Sequence, residues 1–260
     1  MQIANIYPIA NQQLYKDEKY VMILAHLVKK GFYKPENFSE DQYIIMDNGL
    51  FEGEQVSTDL RDLIRLAEGS GIPIKEIIVP DAVNDRDQTK HLFMRNLETI
   101  RKYHHKYTFM FVAQAITYTE LRMNMLFVNQ FKDEGLNLSV GISKLSPLDR
   151  ADKISRAAYG HCKYPIHILG VKDSFNELYE LVDMKQIRGC DTSQLAYIVK
   201  NEQDCEVYPW MYSRKMHEQE CGKSVKEAAI DLECDVLDDE FLREQRELFW
   251  QEAMAYGVLR

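Results

Sequence analysis

The sequence predicts a (β/α)8 barrel, with a doubly wound open sheet as the runner-up. Three observations point there. Six short runs rich in β-branched and aromatic residues are apolar throughout rather than alternating, as in strands buried on both faces of a parallel sheet. Amphipathic stretches of helical period separate them, the alternation expected of an α/β fold. Two further strand candidates precede the six, and eight such strands close a barrel.

In chain order, the first candidate is Gln2–Tyr7 (QIANIY). The second, Tyr20–Leu27 (YVMILAHL), reads equally well as a strand or a short helix. Then come Tyr43–Asp47 (YIIMD), Ile74–Pro80 (IKEIIVP), Thr108–Gln114 (TFMFVAQ), Leu136–Ile142 (LNLSVGI), Ile166–Val171 (IHILGV) and Ile187–Asp191 (IRGCD). Helical segments are expected near Thr58–Glu68, Asp87–His104, Thr119–Phe131, Leu148–Tyr159 and Ser174–Met184. Start signals support three of them: Ser57 or Thr58 with Asp59, Thr117 or Thr119 with Glu120, and Asp173 or Ser174 before Glu177. The pair His104-His105 reads as a helix C-terminal feature. Residues 192–223 show no clear period, and Val225–Cys234 and Asp238–Tyr256 read as two terminal helices on the outside. With no repeat and no linker, residues 1–260 form one domain: a barrel core over 1–200, then an insert and C-terminal helices over 201–260.

Composition narrows the class. A chain of 260 residues buries roughly 70–75% of its unfolded surface and supports a large core. No apolar run approaches the ~20 residues of a membrane helix, the longest being Tyr20–Val28. The opening MQIANIYPIA lacks a basic region followed by an apolar one, so no secretory signal is expected. Fifteen Tyr, 11 Phe and 11 Met with no low-complexity tract argue against disorder. The five cysteines, Cys162, Cys190, Cys205, Cys221 and Cys234, are odd in number and sparse, as free thiols of a reducing compartment. The expectation is a cytoplasmic protein without a membrane segment.

Function in such a barrel is built at the C-terminal ends of the strands. Those ends read His26, Asp47-Asn48-Gly49, Pro80-Asp81-Ala82, Gln114-Ala115, Gly141-Ile142-Ser143-Lys144, Gly170-Val171-Lys172 and Cys190-Asp191-Thr192. Each aspartate alone would serve as a helix cap or loop entry. Three on different strands, with Gln114 among them, describe an acidic pocket. Paired carboxylates suit chemistry at a sugar anomeric carbon, one as nucleophile and the other moving a proton. A further Asp and a Gln can satisfy the donor and acceptor edge of a nucleobase. The residues alone lead to a barrel with an acidic pocket for a sugar or nucleoside.

At these strand ends, the chain resembles the tRNA-guanine transglycosylase superfamily over about residues 1–195. Asp47-Asn48-Gly49-Leu50-Phe51-Glu52 resembles that family's Asp-Ser-Gly-Gly-Phe-Gln, and Val79-Pro80-Asp81 falls where it has a second pocket aspartate. Phe111-Val112-Ala113-Gln114-Ala115 is similar to its Val-Gln-Gly strand end. Ser139-Val140-Gly141-Ile142-Ser143 resembles its Val-Gly-Gly-Leu loop, and His167-Ile168-Leu169-Gly170-Val171 its Leu-Met-Gly-Val strand. Gly189-Cys190-Asp191-Thr192 falls where Phe-Asp-Cys carries the nucleophile. The order of these motifs, rather than any single one, carries the likeness.

The resemblance implies a ping-pong base exchange. Asp191 would attack C1′ of a guanosine-type nucleotide and displace guanine, leaving a covalent glycosyl–enzyme ester. A 7-deazaguanine would then take over that carbon. Asp47 would serve as general acid/base, while Asp81, Gln114 and the Gly141 backbone would read the purine, with Asn48, Gly49 and Gly170 beside them. The family's Cys-x-Cys-x-x-Cys zinc cluster is absent, so no cofactor is implied; Cys205, His217, Cys221 and Cys234 lack the tight pair of most structural zinc sites. Thr192-Ser193-Gln194 replaces the Pro-Thr-Arg that follows the nucleophile in tRNA-modifying members, and the chain is much shorter than theirs. The Ala25-His26 strand end and the Asp-Asn-Gly-x-Phe-Glu form look closer to the compact branch from bacteria and phages that inserts 7-deazaguanines, such as 7-cyano-7-deazaguanine, into DNA. DNA is therefore the implied nucleic-acid partner, in the host cytoplasm if phage-encoded, and a homodimer is the implied assembly. The alternatives are the same exchange on tRNA, of queuosine or archaeosine type, and a catalytically silent barrel that binds nucleic acid.

A DNA substrate would have to flip its target guanine out of the stack. Residues 207–215 (VYPWMYSRK) offer Trp210, Arg214 and Lys215 to brace a distorted strand, or equally form an ordinary packed loop. His26, Lys144 and Lys172 sit at the rim, where lysines can meet phosphates. The net charge of −9 at first argues against nucleic acid. Residues 227–260, however, hold ten acids against three bases, leaving 31 against 29 on residues 1–226. The acidic C-terminal helices are thus expected to face away from the nucleic acid.

Overall fold

A computed structural model describes residues 1–50, 56–171, 176–200, 230–255 and 258. Eight parallel strands form one sheet in the order β1-β8-β7-β6-β5-β4-β3-β2. They are β1 Gln2–Asn5, β2 Tyr20–Leu24, β3 Tyr43–Asp47, β4 Ile74–Ile78, β5 Thr108–Val112, β6 Leu138–Ser143, β7 Ile166–Leu169 and β8 Ile187–Thr192. The sheet curls until its edge strands β1 and β2 meet without a backbone ladder, so the barrel of the sequence reading is present and nearly closed. Across that seam, Asn5 Nδ2 and Tyr7 Oη donate to the buried Glu18 at 3.4 and 2.5 Å.

The helices between strands are α1 Ala25–Lys29, α2 Leu60–Gly69, α3 Arg86–Arg95, α4 Leu97–Tyr103, α5 Tyr118–Asn129, α6 Lys153–Gly160, α7 Asn176–Leu181 and α8 Gln194–Lys200; α9 Asp239–Ala255 ends the described chain's helices. Asp59, Asp85, Thr117 and Asp152 cap α2, α3, α5 and α6, and Thr117 with Glu120 completes a capping box. Apolar faces of the helices and the outward side chains of the strands make the larger core, from Ile3 and Leu14 through Phe93 and Phe111 to Ile168 and Phe249. A smaller cluster, including Ala4, Met22, Ile45, Ile78, Met110 and Val112, fills the barrel interior.

Three expectations need correction. The ambiguous second stretch is both things in turn: strand through Leu24, then α1. The helix expected over Asp87–His104 breaks at Asn96, whose Nδ2 donates to the Leu92 carbonyl at 2.9 Å while its Oδ1 accepts from the Leu60 amide at 2.9 Å. That side chain competes with the helical ladder and locks the break. The helix expected over Val225–Cys234 does not run through its described part, 230–234. There, Asp231 accepts from the Glu233 and Cys234 amides at 3.0 and 3.1 Å, and Asp235 from the Asp231 amide at 2.8 Å. Such local bonds favour a turn over a helix.

One irregularity positions the site. Between β7 and β8, Ile166 pairs with Ile187 but His167 pairs with Gly189, a one-residue bulge at Arg188. Side chains alternate along a strand, so Arg188 and Asp191 would ordinarily face opposite sides. The bulge turns both into the lumen. A Cβ on Gly189 would meet the Gln2 carbonyl at 2.6 Å and the Tyr20 ring at 3.0 Å, so only glycine fits there.

Candidate active site

The strand ends open into a cavity of about 850 Å³ at the C-terminal mouth of the barrel. Asp47, Asn48, Asp81, Gln114, Gly170 and Asp191 line it, as do His26 and Lys144. Gly141 and Gly49 are not among the lining residues. Strand β6 continues to Ser143, so Gly141 lies inside it; a Cβ there would strike Leu169 and Met110, and its carbonyl accepts from the Ala113 amide at 2.8 Å. Ser143, Lys144 and Leu145 occupy the mouth instead. Phe51, Glu52, Lys172, Cys205, Trp210, Arg214, Lys215, His217 and Cys221 lie outside the described residues. Among the described residues, no group of three His, Cys, Asp or Glu side chains could hold a metal ion.

Asp81 is the hub of one wall. It is buried, and its Oδ1 and Oδ2 accept from Asn48 Nδ2 at 2.8 Å and Gln114 Nε2 at 2.7 Å. Gln114 is oriented from its other end, its Oε1 accepting from the Asn84 amide at 3.1 Å. Asp47 Oδ1 takes the Gly49 amide at 2.7 Å and Asn48 Oδ1 the Leu50 amide at 2.9 Å, so the segment after β3 is held by its own side chains. Burial raises the Asp81 carboxyl above its ordinary value, against the pull of Asn48 and Gln114. The native state therefore binds this proton more tightly than the unfolded chain. Its contribution to stability is present below the ordinary Asp value and is lost as pH rises to the raised native one. Unfolding followed across mildly acidic pH is expected to show that decline in the wild type and a flatter profile in Asp81→Asn; equal slopes would refute the assignment.

Asp191 stands on the opposite arc. Its Oδ1 accepts from the Gly170 amide and from His167 Nε2, both at 3.0 Å. Gly170 sits in the left-handed region at φ +59°, and a Cβ there would meet Lys144 Cδ at 2.6 Å. Its carbonyl is clamped by Arg150 Nη2 at 2.6 Å. His167 lies mid-strand in β7, and its Nδ1 is 2.8 Å from Tyr20 Oη. Beneath it, Arg188 Nε and Nη1 donate to Tyr20 Oη and Tyr43 Oη at 3.0 Å each. Arg188 Nη2 pairs with Glu76 Oε2 by charge at 2.8 Å, without hydrogen-bond alignment. Tyr43 Oη and Ser139 Oγ also donate to Glu76. Burial alone would pull the guanidinium down, but Glu76, Tyr20 and Tyr43 outweigh it and hold Arg188 charged. Burial and Glu76 push the Tyr43 phenol up to about 12. A polar column thus runs from the floor of the barrel to Asp191. The sequence reading assigned none of its lower members a functional role; a His and a Glu at lumen-facing positions of apolar strands were the available signal.

The acidic C-terminal part divides in two. Helix α9 packs outside, Asn11 Nδ2 meeting Asp239 Oδ1 at 2.6 Å and Arg246 reaching Asp17. Residues 230–233 instead line the cavity mouth, contrary to the expectation that this whole region turns away. The Leu232 carbonyl takes the Ile9 amide, and Glu233 and Asp235 pair with Lys30 and Lys200 at 2.6 and 2.7 Å.

No family model and no curated protein matches the chain. Solved structures do. The carboxyl transferase domain of Rhizobium etli pyruvate carboxylase, with pyruvate, is similar over 99% of this chain at 12% identity and a TM-score of 0.50. The chain spans 48% of that structure's length. The tryptophan synthase alpha chain from Legionella pneumophila matches over 96% of this chain and 92% of its own, at 9% identity and a TM-score of 0.42. At such identities, the likeness is one of fold. Among the described residues, no helix is long and apolar enough to cross a membrane.

Proposed function

We propose that the protein is a guanine transglycosylase that exchanges guanine in DNA for a 7-deazaguanine through an ester on Asp191. The observation that carries this reading is the convergence of Asp47, Asp81, Gln114 and Asp191, from four different strand ends, on one cavity. Each lies in a segment that resembles a motif of the transglycosylase superfamily, in the same order along the chain, and the barrel is the fold that the resemblance implies.

The division of labour is the one that the resemblance implies, placed on these side chains. Asp191 offers Oδ2, since both of its described side-chain hydrogen bonds fall on Oδ1. Oδ2 forms a bond to C1′ as the C1′–N9 bond of guanine breaks, and the electron pair leaves on N9, which takes a proton from Asp47. The entering base gives its N9 proton back to Asp47 and attacks C1′, and the Oδ2–C1′ pair returns to the carboxylate. Asp81 and Gln114, tied to each other, face the purine edge. A cavity of this size admits a base with its sugar.

On this reading, the nucleic acid approaches over the β4–β6 side. The acids Asp231 and Glu233 occupy the mouth beside β1 and β2, whereas Lys144 follows β6, diametrically opposite β2. The loops of that side carry exposed apolar side chains, Val83, Ile116 and Leu145, of the kind that fill the gap left by a displaced base. The test is incubation of the protein with labelled guanine and, separately, duplex DNA or unmodified tRNA, followed by chase with a 7-deazaguanine. Label is expected to enter DNA and be chased out. Entry into tRNA alone would shift the substrate to RNA, and entry into neither would refute the transglycosylase reading.

A further inference from the structure

We propose that His167 is a positioning residue for Asp191, its tautomer dictated from below by Arg188 through Tyr20. The proposal rests on reading Asp191 as the nucleophile. His167 is fully buried and 3.0 Å from Asp191 Oδ1 through Nε2 and 2.8 Å from Tyr20 Oη through Nδ1. A guanidinium has no acceptor, so Arg188 Nε must donate to Tyr20 Oη, 3.0 Å away. The Tyr20 hydroxyl therefore gives its own proton to His167 Nδ1. That leaves the imidazole proton on Nε2, where the partner is Asp191 Oδ1. Arg188 is fixed in turn by Tyr43 and Glu76.

This order of donors has a mechanistic consequence. Two N–H groups, from His167 and Gly170, sit on one carboxylate oxygen and set the rotation of the group. Oδ2 is thereby presented to the cavity as the attacking atom. In the ester, Oδ1 becomes the carbonyl oxygen and stays bonded to His167. When the entering base expels Asp191, negative charge returns to the carboxylate and the His167 bond strengthens, as hydrogen bonds to charged groups do. His167 thus contributes most to the half-reaction that releases the ester.

Three measurements test this. His167→Leu is expected to lower kcat for exchange about 10²-fold, the typical effect of losing one donor at a developing charge, with KM for the base little changed. The fraction of protein trapped as covalent adduct is expected to rise. His167→Gln, which can place an amide N–H near the Nε2 position, is expected to recover most of kcat. Nitrogen NMR of the wild type is expected to show the Nε2–H tautomer, with a proton resonance that moves in Asp191→Ala. Exchange by His167→Leu within about threefold of wild type, or an Nδ1–H tautomer, would overturn the proposal. A purely structural role would lower thermal stability and kcat in both variants without adduct build-up, and that pattern also counts against it. If the wild type exchanges no base at all, the underlying reading fails, and the tautomer alone decides whether His167 holds Asp191.

Discussion

Asp191→Asn is expected to abolish base exchange, lowering the rate about 10⁴-fold or more, the scale on which loss of a covalent nucleophile is felt. The substitution keeps the shape and both described hydrogen bonds, because the carboxamide oxygen can still accept from His167 and Gly170. What it removes is the anionic oxygen that bonds to C1′. The covalent adduct with DNA, seen as a slow-migrating band on a denaturing gel, is expected to vanish with it. Stability is expected to hold or to rise, since an ionised carboxylate at a buried position carries a desolvation cost that an amide does not. Activity and stability moving in opposite directions would mark a catalytic charge rather than a structural one. Exchange within tenfold of wild type would exclude Asp191 as nucleophile and direct attention to Asp47, the second carboxylate that the proposed exchange uses.

Much of this site was legible because strand ends are periodic objects. An apolar run closed by a single Asp or Gln announces both the strand and the mouth of the barrel, and Asp47, Asp81, Gln114 and Asp191 all line the cavity as read. The supporting column was not legible, for a physical reason. Whether Arg188 faces the lumen depends on a one-residue bulge, and a slip of one residue leaves no periodic trace in a strand as short as β8. His167, in the apolar run Ile166–Leu169, looks from sequence like an ordinary strand residue until Asp191 and Tyr20 are found on either side of its ring. Gly141 shows the reverse error: the strand-end reading, and then the motif likeness, set it at the mouth, but two more residues of strand bury it below Ser143. The acidic terminus was read by net charge, which cannot tell that Asp231 would turn the chain across the mouth while α9 packs behind it.

Arg150→Met is expected to cost about 3–5 kcal/mol of stability, the range for breaking a buried ion pair. At the slope usual for chains of this size, that lowers Tm on the order of 10 °C. The Arg150 side chain is 1% exposed and pairs with Glu177 twice, at 2.5 Å from both Nε and Nη2. It also donates to the carbonyls of Ile142, Leu169 and Gly170, at 3.1, 2.8 and 2.6 Å, tying the ends of β6 and β7 together. Methionine fills the space of the stem but leaves Glu177, 11% exposed, without its cation. The double variant Arg150→Met/Glu177→Leu removes both charges, and most of the lost stability is expected to return, since a desolvated pair replaced by apolar groups is often neutral. Activity should not return with it. The Gly170 carbonyl still lacks its anchor, so the amide that helps orient Asp191 is held only by the left-handed turn at Gly170. A stable but slow double variant, measured by chemical unfolding beside the exchange assay, would separate the two duties of Arg150. Recovery of both stability and rate would assign it to the fold alone.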